Sequence, residues 1–218
     1  MAATSTPYGL KPINLIGGQA FNGGAIREYK LSTENTYAFY TGAVIQLSSA
    51  GNPQPIQATP VAVSLTVSGP VVSNATAGIV GVCVGVSYVD PALKYQVYGQ
   101  TLPAGAIAAG YTNITIHVCD DPDQLYQIQG NAAFGTLTNG AAGAVGKNAA
   151  IETFTGNATT GLSQTALIVG ANGGSLAATA TLGFRIVDVV AATANDSYPD
   201  LIVKFNATVH SYNNFLGV

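Results

Sequence analysis

Charge is what this chain has least of: 7 Lys or Arg and 10 Asp or Glu among 218 residues make only 8% of it charged, against about 25% in an ordinary soluble domain. With a net charge of -3 and no cluster of Lys or Arg interleaved with aromatics, a groove for nucleic acid is excluded. Histidine is equally scarce, with only His117 and His210, and no serine stands in a Gly-x-Ser-x-Gly elbow. A nucleophile, base and orienter triad therefore has little to be built from. Ten acids spread mostly over turns offer no carboxylate pair for glycoside hydrolysis. The chain is expected not to be an enzyme and to carry no cofactor and no metal.

Other absences narrow the field further. Tryptophan is missing, which removes the usual platform for stacking a sugar ring. No apolar run approaches the roughly 20 residues that span a bilayer, so no membrane partner is expected. Met1-Ala-Ala-Thr-Ser-Thr-Pro-Tyr8 has no basic segment followed by an apolar core, so the chain is expected to start as a cytoplasmic product. The Asn-x-Ser/Thr triplets at Asn74, Asn113, Asn157, Asn195 and Asn206 are then expected to stay unmodified. Gly17-Gly18 and the stretch Gly78 to Gly85 lack the strand and helix context of a dinucleotide loop and any Walker lysine, and read as turn and packing glycines. Cys83 and Cys119 both fall in strand-like segments. They bond only if the fold brings them together, and two buried reduced thiols are the plainer expectation.

What the sequence does contain is strand alternation, with almost no helical periodicity. Val61-Ala-Val-Ser-Leu-Thr-Val67 alternates large apolar with small residues, and Asn113-Ile-Thr-Ile-His-Val-Cys119 turns Ile114, Ile116 and Val118 inward. Ile79 to Val89 places Val80, Val82, Val84, Val86 and Tyr88 on one face and Gly81, Cys83, Gly85 and Ser87 opposite, a face small enough for another backbone to pack closely. Leu182, Phe184 and Ile186 form one stripe, and Leu201, Val203, Phe205, Ala207 and Val209 another. Asn195-Asp-Ser-Tyr-Pro-Asp200 between them supplies a hairpin turn. Further strands are expected at Gly42 to Leu47, Leu125 to Gln129 and Thr165 to Val169, with turns such as Gly170-Ala-Asn-Gly-Gly174. Short strands at this spacing predict an all-β antiparallel sandwich or barrel, jelly-roll-like or tulip-like.

Residues 1–35 read differently. Pro7, Pro12, Gly17-Gly18 and Gly23-Gly24 interrupt regular structure, yet Tyr8, Leu10, Ile13, Leu15 and Phe21 are too apolar for a free tail. An extended N-terminal arm that docks on a partner is expected, followed by one β domain over 36–218, the alternative being two β lobes divided near 130–150. The C-terminal Ser211-Tyr-Asn-Asn-Phe-Leu-Gly-Val218 has the same mixture of turn formers and aromatics. Asp120-Asp-Pro-Asp123 is the densest acidic cluster. It lacks the spacing of an EF-hand loop, and Asp-Pro is also an ordinary turn signal, so Asp120, Asp121 and Asp123 are expected in a turn without a bound ion.

Eight stretches, in chain order, together resemble the head decoration, or capsid cement, proteins of tailed bacteriophages, especially podovirus-like phages of aquatic bacteria. They are Pro7-Tyr-Gly-Leu-Lys-Pro12 with Phe21-Asn-Gly23, Tyr40-Thr-Gly-Ala-Val44, Gly78-Ile-Val-Gly-Val-Cys-Val-Gly85, Asp120-Asp-Pro-Asp-Gln-Leu-Tyr126, Val145-Gly-Lys-Asn148, Thr160-Gly-Leu-Ser163 and Phe184-Arg-Ile-Val187. The resemblance implies a β-rich virion protein on the outer capsid surface, made in the host cytoplasm. Its implied partners are the major capsid protein and itself, as a homo-oligomeric dimer or trimer. Family arms are typically basic after their Gly-Leu, whereas here Lys11 is followed by Pro-Ile-Asn, which favours apolar and backbone docking over electrostatic docking. The contact residues expected on this basis are Tyr8, Leu10, Ile13 and Phe21 of the arm, with Tyr212 and Phe215 serving the shell or an oligomer interface. A carbohydrate-binding or adhesive β module is the alternative. A hydrolase is a third reading, and it would need the Asp120 cluster to face His117 or His210 across a pocket.

Overall fold

A computed structural model describes residues 4–21, 25–48, 50–56, 71–72, 78–134, 139–152, 156–170, 176–178, 182–207 and 209–213. Its strands are β1 (Lys11–Leu15), β2 (Ile26–Lys30), β3 (Phe39–Tyr40), β4 (Val44–Leu47), β5 (Pro53–Pro55), β6 (Val71–Val72), β7 (Ile79–Val89), β8 (Gln96–Gly99), β9 (Thr101–Leu102), β10 (Thr112–Cys119), β11 (Gln124–Gln129), β12 (Asn148–Ala149), β13 (Ile151–Glu152), β14 (Ala166–Leu167), β15 (Phe184–Val189) and β16 (Asp200–Phe205). One short 3-10 turn lies at Gly140–Gly143, and no α-helix occurs among the described residues. The strand expected at Val61 to Val67 lies outside the described residues.

The protein is an all-β sandwich of antiparallel sheets. A five-stranded sheet runs β1-β11-β16-β15-β12, and a six-stranded sheet runs β2-β10-β7-β4-β5, with β8 also paired to β7. Between them lies a core to which Tyr126, Phe184, Ile186, Val203 and Phe205 contribute from the first sheet and Val44, Ile79, Val82 and Cys119 from the second. Phe205 sits at its centre, with ring centroids 4.8 Å from Phe184 and 5.4 Å from Tyr126. The Tyr126 hydroxyl donates to the Cys119 carbonyl oxygen at 3.1 Å, so the buried phenol is satisfied and ties the two sheets together. A second core covers the other face of the six-stranded sheet. There Ile45, Val80, Cys83, Val86, Ile114, Ile116 and Val118 pack with Phe39, Leu102 and Ala106, supplied by the small β3-β9 pair and the turn that follows it.

β7 serves both cores, and this corrects the single apolar face expected for it. Ile79 and Val82 enter the first core while Val80, Cys83 and Val86 enter the second. Two register irregularities permit the switch, one opposite Ile45 and Gln46 and one between His117 and Val118. Each bulge adds a residue and reverses the side to which the following side chains point. At the first bulge Gly81 has φ +157, and a Cβ there would collide with the Cys119 carbonyl oxygen.

The described residues of 1–35 lie within the sandwich rather than reaching out from it as an arm. β1 pairs with β11 and β2 with β10, so this stretch supplies an edge strand to each main sheet. Gln129 accepts from Thr6 N at 3.0 Å, Gln124 Nε2 donates to Asn14 O at 3.0 Å, and Leu10 N donates to Gly42 O at 2.9 Å. Pro12 is accommodated because β1 is an edge, where a missing N–H costs no ladder bond. Of the apolar residues that suggested docking on another protein, Leu10 belongs to the first core and Phe21 packs against it. Across the stretch 130–150, where a division into two lobes is the alternative, β15 and β16 beyond it share one sheet with β11 before it.

The hairpin expected in the C-terminal third is present. β15 and β16 pair antiparallel, Phe184 with Phe205 and Ile186 with Val203. β16 ends at Phe205, and Ala207 lies exposed beyond it. Ile114, Ile116 and Val118 all face the second core, as their alternation required.

Candidate functional site

Tyr8 is half-buried, its hydroxyl donating to Asp200 Oδ1 at 2.9 Å. Burial, with Asp200 beside it, pushes that phenol far above its ordinary range, so it stays protonated. Leu10 is 2% exposed and belongs to the first core. Its assignment as an external contact is therefore corrected: its apolar surface is spent within the chain. Ile13 is half-buried in β1, and Phe21 is half-buried against the first core. Phe215 lies outside the described residues. Tyr8 and Leu10 line a cavity of about 470 Å³ with Lys11, Pro12, Thr41, Gly42, Gln127 and Leu162. The close approach of two quoted sequence motifs creates it: Gly9 (φ +79) and Gly42 (φ +86) meet backbone to backbone, and a Cβ on Gly9 would lie 2.6 Å from Gly42 O.

Tyr212 stands apart from that cavity. It is 45% exposed, with its hydroxyl 2.6 Å from that of Tyr29 and 3.1 Å from an Arg27 guanidinium nitrogen, whose carbon lies 4.9 Å from the Tyr212 ring centre. Arg27 Nε and the Tyr29 hydroxyl both reach Asp120 Oδ2, at 2.7 and 3.1 Å. Burial raises the Asp120 carboxyl, and Arg27 and Tyr29 oppose the shift. This cluster pins the C-terminal segment to β2.

The acidic cluster is dispersed by its partners. Asp120 faces Arg27, Asp121 Oδ1 accepts from Asp123 N at 2.8 Å within the turn, and Asp123 pairs with Lys204 at 2.7 Å. Among the described residues no group of three or more His, Cys, Asp or Glu side chains is placed to hold a metal ion. His117 Nε2 lies 3.2 Å from Ser87 Oγ and its Nδ1 3.8 Å from Glu28 Oε1. His210 is fully buried, its ring 5.8 Å from Phe205 and 5.7 Å from Tyr212. Cys83 and Cys119 point into different cores and are not bonded to each other. Burial pushes their thiols up to about 12 and about 11, so both are protonated and poorly nucleophilic at neutral pH.

The surface feature that sequence reasoning missed is the β7-β8 hairpin. Leu93 (52%), Tyr95 (60%) and Tyr98 (73%) are among the most exposed large apolar side chains described. The tip is held rigidly: Asp90 Oδ1 accepts from Ala92 N at 2.8 Å and Leu93 N at 3.0 Å, and Lys94 N donates to Asp90 O at 2.9 Å. Those N–H donors also lower the Asp90 carboxyl. Lys94 turns the chain back at φ +59, and Tyr98 lies over His117 with centroids 6.4 Å apart and planes at 29°. The available signal was Asp90-Pro91, a turn opener followed within eight residues by Leu93, Tyr95 and Tyr98. A second aromatic recess of about 470 Å³ is lined by Tyr37, Tyr40, Tyr88, Thr36, Thr101 and Pro103, among others.

No helix of the described residues is long and apolar enough to cross a membrane. No family model matches the chain, and no curated protein or solved structure matches it either.

Proposed function

We propose that this chain is a structural virion protein that decorates and cements a tailed-phage capsid by bridging subunits of the major capsid protein on the outer surface. The observation that carries this reading is the braced β7-β8 hairpin, which displays Leu93, Tyr95 and Tyr98 on a molecule with very few charged groups. Aromatic side chains fixed on a rigid support bury large areas at low entropic cost, and a surface poor in Lys and Glu is cheap to dehydrate. The resemblance of eight chain segments to capsid cement proteins points the same way. The hairpin replaces residues 1–35 as the shell contact, because Leu10 is committed to the core. Many copies on a symmetric lattice then add modest contacts into a strong one, and a partner that binds only the closed shell raises the free energy of opening it.

The test uses heads lacking this chain, to which wild-type protein or the Tyr95→Ala/Tyr98→Ala variant is added back. Wild type is expected to occupy the heads and raise the temperature at which they release DNA. The variant, with an unchanged melting temperature of its own, is expected to bind at least about tenfold more weakly, the effect of losing one or two buried aromatic anchors. Equal occupancy and protection by the variant would remove the hairpin from the contact; failure of the wild type to bind would remove the shell reading itself.

A further inference from the structure

β2 is an outer strand of the six-stranded sheet, and among the described residues no backbone group pairs with its free side. The direction of its hydrogen bonds follows from its partner: Leu31 N donates to Ile114 O, and Asp120 N donates to Ala25 O. With Lys30 opposite Thr115 and Cys119 opposite Ile26, residues 25, 27, 29 and 31 address β10. Alternation then turns the N–H and C=O of Ile26, Glu28 and Lys30 outward. Three other outer strands are blunted: β5 is Pro53–Pro55 with a proline at each end, the outer side of β1 meets its own turn through the Asn14–Ala20 bridge, and β12 is covered by Ala177 through bonds of 2.8 and 3.1 Å.

β2 is also where this charge-poor chain concentrates charge, as Ile26-Arg-Glu-Tyr-Lys30. Arg27 is engaged with Asp120 and Tyr212 on one face of the sheet. Glu28 and Lys30 are exposed on the other, the Glu28 side chain by 72%. Edge guards against unwanted pairing work by repulsion or by a missing donor. Here the two exposed charges are opposite in sign and two residues apart, which attracts a copy of the same strand in one antiparallel register.

We propose that β2 is a homodimer interface, in which two copies pair antiparallel about a two-fold axis through Tyr29, each Glu28 opposite the partner's Lys30. That register aligns outward-facing residues with outward-facing residues, so each Glu28–Lys30 pair exchanges two backbone hydrogen bonds and places opposite charges side by side. Tyr29 meets its own copy at the axis, and the two six-stranded sheets become one. A register centred on Glu28 instead sets like charges face to face and is disfavoured. The symmetry is closed and self-complementary, as a two-fold contact requires. This inference does not depend on the shell reading and survives its failure.

Sedimentation of the full chain over a range of concentrations, at low salt, tests it. Wild type is expected to show a monomer–dimer equilibrium. Glu28→Lys and Lys30→Glu each replace two attractions by two repulsions and are expected to weaken dimerisation by at least about tenfold, with circular dichroism and melting temperature unchanged. Mixed together, the two single variants are expected to form a heterodimer, because all charge pairs across the axis become opposite again. Glu28→Lys/Lys30→Glu in one chain is expected to restore self-association. A wild type that stays monomeric, single variants that dimerise normally, or a mixture that stays monomeric would each overturn the proposal.

Discussion

Gly81 is the residue on which the sharing of β7 between two cores turns. Its backbone angle and its contact with the Cys119 carbonyl leave no room for a Cβ, and the obstacle is main chain of a fully buried strand end, which cannot move aside. Gly81→Ala is therefore expected to cost about 3 kcal/mol or more. A urea melt with the slope held in common would read this directly, and a loss below about 1 kcal/mol would mean that the bulge relaxes. His210 makes a prediction about pH. Its Nδ1 accepts from Tyr212 N at 3.3 Å, and its Nε2 is buried. Burial lowers the imidazole from its ordinary 6.5 to about 4; the Val80 backbone and Asp121 oppose the shift, Lys204 adds to it, and Asp123 again opposes it. The folded state thus resists a proton that the unfolded chain accepts. Stability from this site is complete above about pH 6.5 and falls as pH drops toward 4, by roughly 3 kcal/mol in all. The difference between wild-type and His210→Asn melting temperatures should narrow over that interval, and parallel curves would show that His210 does not titrate in this way.

Among elements, the ones legible in the sequence are those whose alternation answers to one face. In β10, Ile114, Ile116 and Val118 face a single core, and in β16, Leu201, Val203 and Phe205 do the same, so period two could be read directly. β7 has the right extent, but its faces were misassigned, because a bulge reverses parity without leaving a mark beyond a glycine among many. β1 and β2 were hidden for another reason: proline and paired glycines around them imitate a loop, and only the pairing with β11 and β10 makes them strands. Of the expected contact residues, Tyr212 is exposed and Leu10 is core, a distinction that composition does not encode. The N-terminal segment gives the element-scale prediction. Removing residues 1–15 takes away Leu10, uncovers the edge of β11 and strips Gln124, Gln129 and Asp200 of partners. The truncated protein is expected to lose most of its stability rather than merely its attachment, and Leu10→Ala alone should cost about 3 kcal/mol. A truncated chain that melts like the wild type would return this segment to the role of a detachable arm.

For the molecule as a whole, the decisive feature is that no sheet stands alone. The first core draws residues from Leu10 to Val209 and the second from Phe39 to Val118, and β7 lies in both. Opening the second core exposes Val80, Cys83 and Val86, which cannot be done without also loosening Ile79 and Val82 beside them on the same strand. Two layers that merely stacked could separate with distinct stabilities, but two that share a central strand gain no such independence. The expected behaviour is one cooperative transition. In native-state hydrogen exchange, the slowest amides of β10, whose side chains fill the second core, and of β16, whose side chains fill the first, should open with the same free energy and the same urea dependence. Guanidinium or heat should give coincident curves by far-ultraviolet and tyrosine near-ultraviolet dichroism. If the β10 amides exchanged through a separate, cheaper opening while β16 stayed protected, β7 would be a hinge between two units rather than the element that joins them, and a bridging role that depends on rigidity would fall with it.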